Sequence, residues 1–204
     1  MLNTKTIRPT ESPEQPDPLS RLIDVLHREG YETLQNEEEW KMYGERTYRR
    51  KERVLFAEGD TVFVFIDFPE LTEKVVAQAV EGIANVYRAR GGKEKALSIF
   101  QSTTVYVCLV VRSGAPHTTS LGRYVKSIGG AVLIPVVINS EINEVVYPAV
   151  EERLGPIRPR IQYLQWVLGE LREPVSIHQQ TVKTFYISAA IVGVIVIAII
   201  LAMI

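Results

Sequence analysis

The sequence predicts an α/β domain with a mixed central sheet flanked by helices, followed by a single C-terminal transmembrane helix. Apolar runs of strand length alternate with amphipathic segments of helical period between residues 20 and 139. The run at 61–68 is apolar on both faces, as expected for a strand that is covered on both sides. Residues 185–204 carry no charged side chain. These three observations predict the fold class.

The first segment of the chain, residues 1–19, is polar and rich in proline. Four prolines lie among Thr, Ser, Glu and Gln between positions 4 and 18, and too little apolar surface is available to offset the entropy lost on ordering. We therefore expect a disordered tail, either a solvated leader or the carrier of a docking motif. It has no apolar stretch of the kind that directs secretion.

A short amphipathic helix follows at residues 21–29. Ser20 is a suitable N-cap and Gly30 a suitable stop. His27, in the last turn, is expected at the surface. The apolar stripe of this helix consists of Leu22, Ile23, Val25 and Leu26.

A basic stretch lies ahead of the first long strands and follows an acidic run at 37–39. Its members are Arg46, Arg49, Arg50, Lys51 and Arg53. One interpretation is a solvated, salt-bridged surface, and the other is contact with anionic lipid or nucleic acid. The formal net charge of −1 argues against a dedicated nucleic-acid binder.

The central elements are predicted to alternate from residue 53 to residue 138. Strands at 53–57 and 61–68 form a hairpin with its turn at 58–60, and a helix follows at 69–90. A short helical piece at 93–100 leads to further elements in the order strand, helix, strand, at 104–111, 119–128 and 131–138. Single helices between strands predict parallel pairing, whereas the hairpin supplies an antiparallel pair. The single cysteine, Cys108, is expected to be buried.

Residues 140–184 are predicted to connect this domain, residues 20–139, to the membrane. A partly helical segment at 141–154 contains Pro148, and an amphipathic helix is predicted at 160–172. The latter helix could lie along lipid headgroups or pack on the domain. We favour packing, because its polar side carries Glu170 and Glu173.

The segment 185–204 is expected to anchor the chain in a bilayer. Twenty helical residues are about 30 Å long, which matches the hydrocarbon thickness. A buried core helix is the alternative, but it would need protein on all sides. Cationic residues precede the segment, which favours a cytoplasmic domain in a single-pass protein. The residues assigned to this anchor include Phe185 and the interfacial Tyr186, with a small-residue patch for another helix at Ala189, Ala190 and Gly193.

Two local patterns carry a family resemblance. In the first, the helix from Leu22 leads into Gly30-Tyr31-Glu32, and in the second, the apolar strand 105–111 precedes Ser113-Gly114, a helix and a strand. This order resembles the restriction-endonuclease-like fold, of the PD-(D/E)xK, Mrr type, over about residues 19–139. For catalytic members, the resemblance implies two carboxylates that hold a divalent metal and a lysine that orients or activates water.

The catalytic set of that family is incomplete here. Asp67 is the one candidate acid on the expected strand, and Phe68-Pro69 stands where an x-Lys would follow. Glu52 or Glu58 is a possible second carboxylate. We favour capping of the next helix as the role of Asp67. We therefore expect no metal and no cofactor, and the three histidines lack zinc-ligand spacing.

A loop at 112–120 is the candidate anion site. Its side chains would gather at a helix N-terminus, where backbone N–H groups attract anions, although Ser and Thr there often only cap the helix. The candidate residues are Arg112, His117, Thr118, Thr119 and Ser120.

Three functions are compatible with these patterns. The favoured one is a non-catalytic, tail-anchored α/β domain that binds a protein partner or acts as an assembly factor, scaffold or accessory subunit of a membrane complex. The alternative is a membrane-tethered metal-dependent nuclease or nucleic-acid-binding protein that uses Asp67 and the basic stretch. The third is a small subunit that packs within a complex through its membrane helix.

Overall fold

The structure, a computed structural model, has an eight-stranded mixed sheet with helices on both faces, which confirms the predicted α/β class. The predictions at 93–100, at His117–Ser120 and at 185–204 fall outside the described part of the chain. The structure describes residues 4–7, 17–34, 46–54, 57–90, 101–113, 121–128, 130–149 and 157–171.

The described helices and strands follow one another in an order dominated by strands. The helices are α1 (Pro18–Arg28), α2 (Glu73–Arg90) and α3 (Arg158–Val167), with a short 3-10 helix at Leu121–Tyr124. The strands are β1 (Thr4–Ile7), β2 (Glu32–Thr33), β3 (Arg46–Val54), β4 (Ala57–Glu70), β5 (Gln101–Ser113), β6 (Lys126–Ile128), β7 (Ala131–Asn139) and β8 (Glu144–Pro148).

The sheet has the order β1-β8-β7-β5-β4-β3-β2. The pairs β4–β5 and β5–β7 are parallel and the β3–β4 hairpin is antiparallel, as predicted. One edge of β7 is occupied along its whole length by β5. The other edge of β7 is shared by β6 and β8. β6 pairs with residues 131–133, and β8 pairs with residues 137–139.

The three parallel strands are buried on both faces, since their side chains alternate between two apolar layers. One layer, the α1/α3 face, contains Phe63 and Tyr106 and is covered by α1 and α3. The other layer, the α2 face, contains Val64 and Val107 and is covered by α2 and the 3-10 helix. Cys108 is fully buried in the first layer, as predicted, and burial raises the pKa of its thiol.

The first helix begins earlier than predicted. Asp17, not Ser20, is the N-cap, and its carboxylate accepts a hydrogen bond from the backbone N–H of Ser20 at 3.3 Å. Pro18 then occupies the first turn, where its missing N–H costs nothing. Gly30, at φ +77°, follows the end of the helix in a left-handed conformation that favours glycine.

The predicted strand at 53–57 and the predicted turn at 58–60 are wrong, because β3 ends at Val54 and β4 already begins at Ala57. The register of the β3–β4 hairpin continues to the pair Val54↔Ala57, so Gly59 lies inside β4 opposite Glu52 and is not part of the turn. At its other end β4 continues to Glu70, which pairs with Ser113 of β5. This extension displaces the start of α2 to Glu73, four residues after the predicted start.

The helix predicted at 119–128 is wrong. The chain forms the 3-10 helix and then β6, which pairs with the start of β7. Leu121, Tyr124 and Ile128 have helical spacing, but all three pack on the α2 face from this irregular segment. Backbone pairing with the free edge of β7 at residues 131–133 therefore stabilises a strand here more than the helical spacing of the apolar residues stabilises a helix.

The ends of the domain also differ from the prediction. Thr4–Ile7 of the expected disordered tail forms β1, which pairs with β8. The segment expected to be partly helical contains β8, because its apolar residues complete the sheet and Pro148 falls at the last position of the strand. α3 packs on the domain, as favoured, through Ile161, Leu164 and Val167. The folded body therefore continues beyond the predicted boundary at residue 139.

A cavity in the doubly covered strand should be costly. Leu109, in β5, has no exposed surface, so Leu109→Ala should lower the free energy of unfolding by about 2–5 kcal/mol. Ile142→Ala, at a side chain that is 48% exposed, is the matched control and should change it by less than about 0.5 kcal/mol. Denaturant unfolding followed by circular dichroism measures both values. Equal losses in the two variants would contradict this arrangement of the core.

Candidate functional site

The carboxyl ends of the parallel strands are the usual position for a ligand in an α/β sheet. At this edge Asn139 is fully buried at the end of β7. Its Oδ1 accepts hydrogen bonds from the backbone N–H groups of Glu141, at 3.0 Å, and Ile142, at 3.3 Å. Asn139 therefore shapes the β7–β8 turn, which Asn143 closes with a φ of 52°.

Asp67, the weak catalytic candidate, lies near this edge on the same side of β4 as Phe63 and Phe65. Its carboxylate forms an ion pair with Arg46 of β3, at 3.6 Å, and both side chains are more than a third exposed. Asp67 does not cap α2, so that predicted role is wrong. Thr72 is the cap instead, because its hydroxyl accepts the backbone N–H of Val75 at 3.2 Å.

The basic stretch does not form one positive surface, because neighbouring residues of β3 point to opposite faces of the sheet. Arg46 and Arg50 lie on the α1/α3 face, where Arg50 contacts Glu29 at 3.7 Å. Arg49 lies on the other face and donates to Asp60 at 2.6 Å. These contacts support the salt-bridged interpretation.

The structure describes the side chains of only some of the remaining residues in the predicted basic and anion-binding sets. Lys51 is exposed, whereas the side chain of Arg53 falls outside the described part. Arg112 is exposed at the end of β5. His117, Thr118, Thr119 and Ser120 are not among the described residues, so the anion site stays a prediction. The described element that follows is a four-residue 3-10 helix, Leu121–Tyr124, in place of the α-helix whose N-terminus was expected to attract anions.

A buried polar cluster joins α3 to the sheet and was not predicted. The hydroxyl oxygens of Tyr31 and Tyr163 lie 2.6 Å apart, and the hydroxyl of Tyr106 donates to the backbone carbonyl of Arg160 at 2.6 Å. The Arg160 guanidinium donates to Thr104 at 3.0 Å. Burial raises the pKa of Tyr31 and Tyr106 and lowers that of Arg160. The contacts of Tyr31 with Tyr163 and of Tyr106 with Arg160 therefore hold α3 against the sheet.

Aromatic stacking continues this cluster across the sheet. The rings of Phe63 and Tyr106 stack with centroids 4.5 Å apart, and Tyr163 of α3 lies 6.4 Å from Tyr106. Such ring pairs stabilise beyond the area that they bury. The signal in the sequence was strand parity, because Phe63 and Tyr106 fall on the same face once β4 and β5 are aligned.

A second polar contact ties β8 to the turn after α3. The hydroxyl of Tyr147 donates to the Glu170 carboxylate at 2.6 Å and accepts from the Gln165 amide at 3.3 Å. Burial, followed by the bond to Glu170, raises the pKa of Tyr147. Gly169, at φ +81°, ends the helix so that Glu170 turns back toward β8.

A charged cluster lies at the surface of the opposite face. Glu81 of α2 accepts hydrogen bonds from Lys126 of β6 and, at 2.5 Å, from Arg88. The bonds from Lys126 and Arg88 lower the pKa of Glu81 to about 2. Arg88 also donates to Asn85 at 2.5 Å. The cluster fixes β6 against α2 in place of the predicted helix.

A metal site and a membrane-spanning helix were looked for among the described residues. Within the ranges that the structure covers, no group of three or more His, Cys, Asp or Glu side chains is placed to hold a metal ion. In those same ranges, no helix has the length and apolar character needed to cross a bilayer. The segment 185–204 is not part of them.

Comparisons with protein families, curated proteins and solved structures found no match to this chain.

The Glu81 cluster should make stability depend on pH. A carboxylate whose pKa is lowered on folding stabilises the fold above its ordinary pKa, and this stabilisation is lost as the pH falls toward 2. Glu81→Gln should therefore lower the melting temperature at pH 7, and its difference from the parent should shrink below about pH 4.5. Thermal unfolding by circular dichroism from pH 7 to pH 2 measures this.

Glu32→Gln supplies the matched charge change for that titration. Glu32 is exposed on β2, at the opposite end of the sheet. It should give no comparable pH-dependent difference. A Glu81→Gln difference of the same size at pH 7 and pH 2 would show that the ion pairs with Lys126 and Arg88 are not its source.

Proposed function

We propose that this chain is a membrane protein anchored by residues 185–204, whose cytoplasmic α/β domain is a non-catalytic binding or assembly module, a scaffold or accessory subunit at a membrane complex. The observation that carries the proposal is the uncharged twenty-residue segment. The length of such a helix matches the thickness of the hydrocarbon core of a bilayer. Because that core offers no hydrogen-bond partners to backbone N–H and C=O groups, a single spanning segment has to form a helix, which pairs them internally.

The length of the connecting chain supports a role at the membrane surface. The described domain ends at Leu171, and thirteen residues, 172–184, separate it from the apolar segment. A fully extended chain of this length reaches at most roughly 45 Å. The domain would therefore remain within about its own diameter of the headgroups, where it meets other membrane-bound proteins.

Side-chain charge before the apolar segment supports a cytoplasmic domain. Arg158, Arg172 and Lys183 precede the segment, and cytoplasmic flanks are enriched in such residues. Arg160 also precedes the segment, but its side chain is buried and donates to Thr104. It contributes to the domain core, and the other three cations remain.

The surroundings of Asp67 support a non-catalytic domain. Cleavage by the nucleases that this chain resembles needs two carboxylates and a lysine around a metal. Here the carboxylate of Asp67 faces the guanidinium of Arg46, and Pro69 holds the position where the family has lysine. A cation at 3.6 Å competes with a metal for that carboxylate. We take the domain to be a degenerate relative of the restriction-endonuclease-like fold.

Small residues within the apolar segment are compatible with an accessory subunit. Ala189, Ala190 and Gly193 would let a second membrane helix approach closely. The partner we propose is therefore a membrane protein or a membrane complex, with the bilayer as the anchoring surface.

Membrane extraction tests the anchor. The full-length chain should stay in the membrane fraction after an alkaline wash, whereas a variant that ends at residue 184 should be released. A variant in which residues 185–204 are replaced by an unrelated apolar helix of equal length is the matched control and should also be retained. Immunoblotting of the pellet and the supernatant measures the distribution.

Two results would count against the proposal. Release of the full-length chain by the alkaline wash would remove the anchor. Divalent-metal-dependent cleavage of DNA or RNA by the purified protein, abolished by Asp67→Ala, would show that the domain is a nuclease.

A further inference from the structure

Among the described strands, β1 lies at the edge of the sheet and pairs with one neighbour, β8. It pairs antiparallel with β8 through four residue pairs, from Thr4↔Pro148 to Ile7↔Val145. Three of its four residues are polar, namely Thr4, Lys5 and Thr6. The backbone hydrogen bonds of short edge strands exchange with water more readily than those of central strands.

Its partner β8 has the character of an internal strand. All five of its residues are buried, with Tyr147 in the α1/α3 layer and Val146 in the α2 layer. β8 is also fixed independently of β1, by its ladder with β7 and by the bond from Tyr147 to Glu170. When β1 leaves, a rigid strand edge with unpaired backbone groups remains, which is the template that another strand adds to.

The best-matched occupant of this edge is the same strand from a second copy. The four pairs formed within one chain are formed equally well between two chains, so the exchange needs no new complementary surface. The segment between β1 and α1 is also long enough for β1 to reach a second copy. Nine residues, 8–16, separate Ile7 from Asp17, and ten extended steps reach roughly 35 Å.

We propose that Thr4–Ile7 is an exchangeable strand and that two copies assemble by placing it on each other's β8. Reciprocal exchange uses the same contact twice and closes a two-fold dimer. The site is the β8 edge at Val145–Pro148, and its ligand is an extended segment with the sequence of β1. This inference stands without the membrane anchor, because it depends on the pairing of two strands.

Mixed-chain crosslinking tests the exchange in the full-length protein, in mild detergent with micelles in large excess. One preparation carries Thr6→Cys and a size tag, and the other carries Val146→Cys, both in a Cys108→Ala background. Positions 6 and 146 are direct partners in the register. The pair Ile7→Cys with Val145→Cys repeats the test, since adjacent antiparallel pairs alternate in geometry and one suits a disulfide better.

We expect a disulfide-linked heterodimer on non-reducing gels. Its yield should rise with protein concentration and exceed several-fold the yield from Thr33→Cys mixed with Val146→Cys. Thr33 lies on β2, at the other end of the sheet, so this pair reports random collisions. The double variant Thr6→Cys/Val146→Cys, oxidised at high dilution before mixing, locks β1 in its own chain and should abolish the heterodimer.

Two outcomes would overturn the inference. One is a heterodimer yield at the level of the Thr33 control for both registers, with the double variant oxidising only within its own chain. The other is that neither Thr6→Cys/Val146→Cys nor Ile7→Cys/Val145→Cys, each made as a double variant, oxidises at any concentration, which would show that β1 does not pair with β8. Neither outcome affects the alkaline-extraction test, so the anchor and the exchange fail separately.

Discussion

The two-sided burial of β4, β5 and β7 is the constraint on which the rest of the domain depends. Strands with apolar side chains on both faces are stable in water only when both faces are covered. Two parallel crossovers, one through α2 and one through the 3-10 helix, cover the same face. The other face has to be covered by α1, which precedes the parallel strands in the sequence, and by α3, which follows them. This requirement explains why the helix after Pro156 belongs to the domain.

Strand composition was readable from the sequence, whereas the edges of the sheet were not. The largely apolar runs at 61–68, 104–111 and 131–138 predicted three strands of a sheet that is covered on both faces. β6 and β8 are short, and each gains its stability from hydrogen bonds to β7, which local propensity does not encode. The same holds for β1, whose composition alone predicted disorder.

The sequence identified candidate residues of the site, but it did not predict which of them contact one another. Asp67 lies on the predicted strand, but its ion pair with Arg46 depends on a hairpin register that closes at the pair Val54↔Ala57, before the turn predicted at 58–60. The basic stretch was read as one unit, and its division between two faces follows from β3 being a strand. The Tyr31–Tyr163 contact joins residues 132 positions apart, so no local pattern announces it.

Amide hydrogen exchange of the folded full-length protein tests the central claim most directly. If burial of the three parallel strands holds the domain together, amides of β5 should exchange slowest, those of α3 should be protected to a similar degree, and those of β1 should exchange fastest among the strands. Mass spectrometry of peptides covering Gln101–Ser113, Arg158–Val167 and Thr4–Ile7 measures the three classes. Exchange of α3 amides as fast as those of β1, or of β5 amides faster than those of α3, would contradict it.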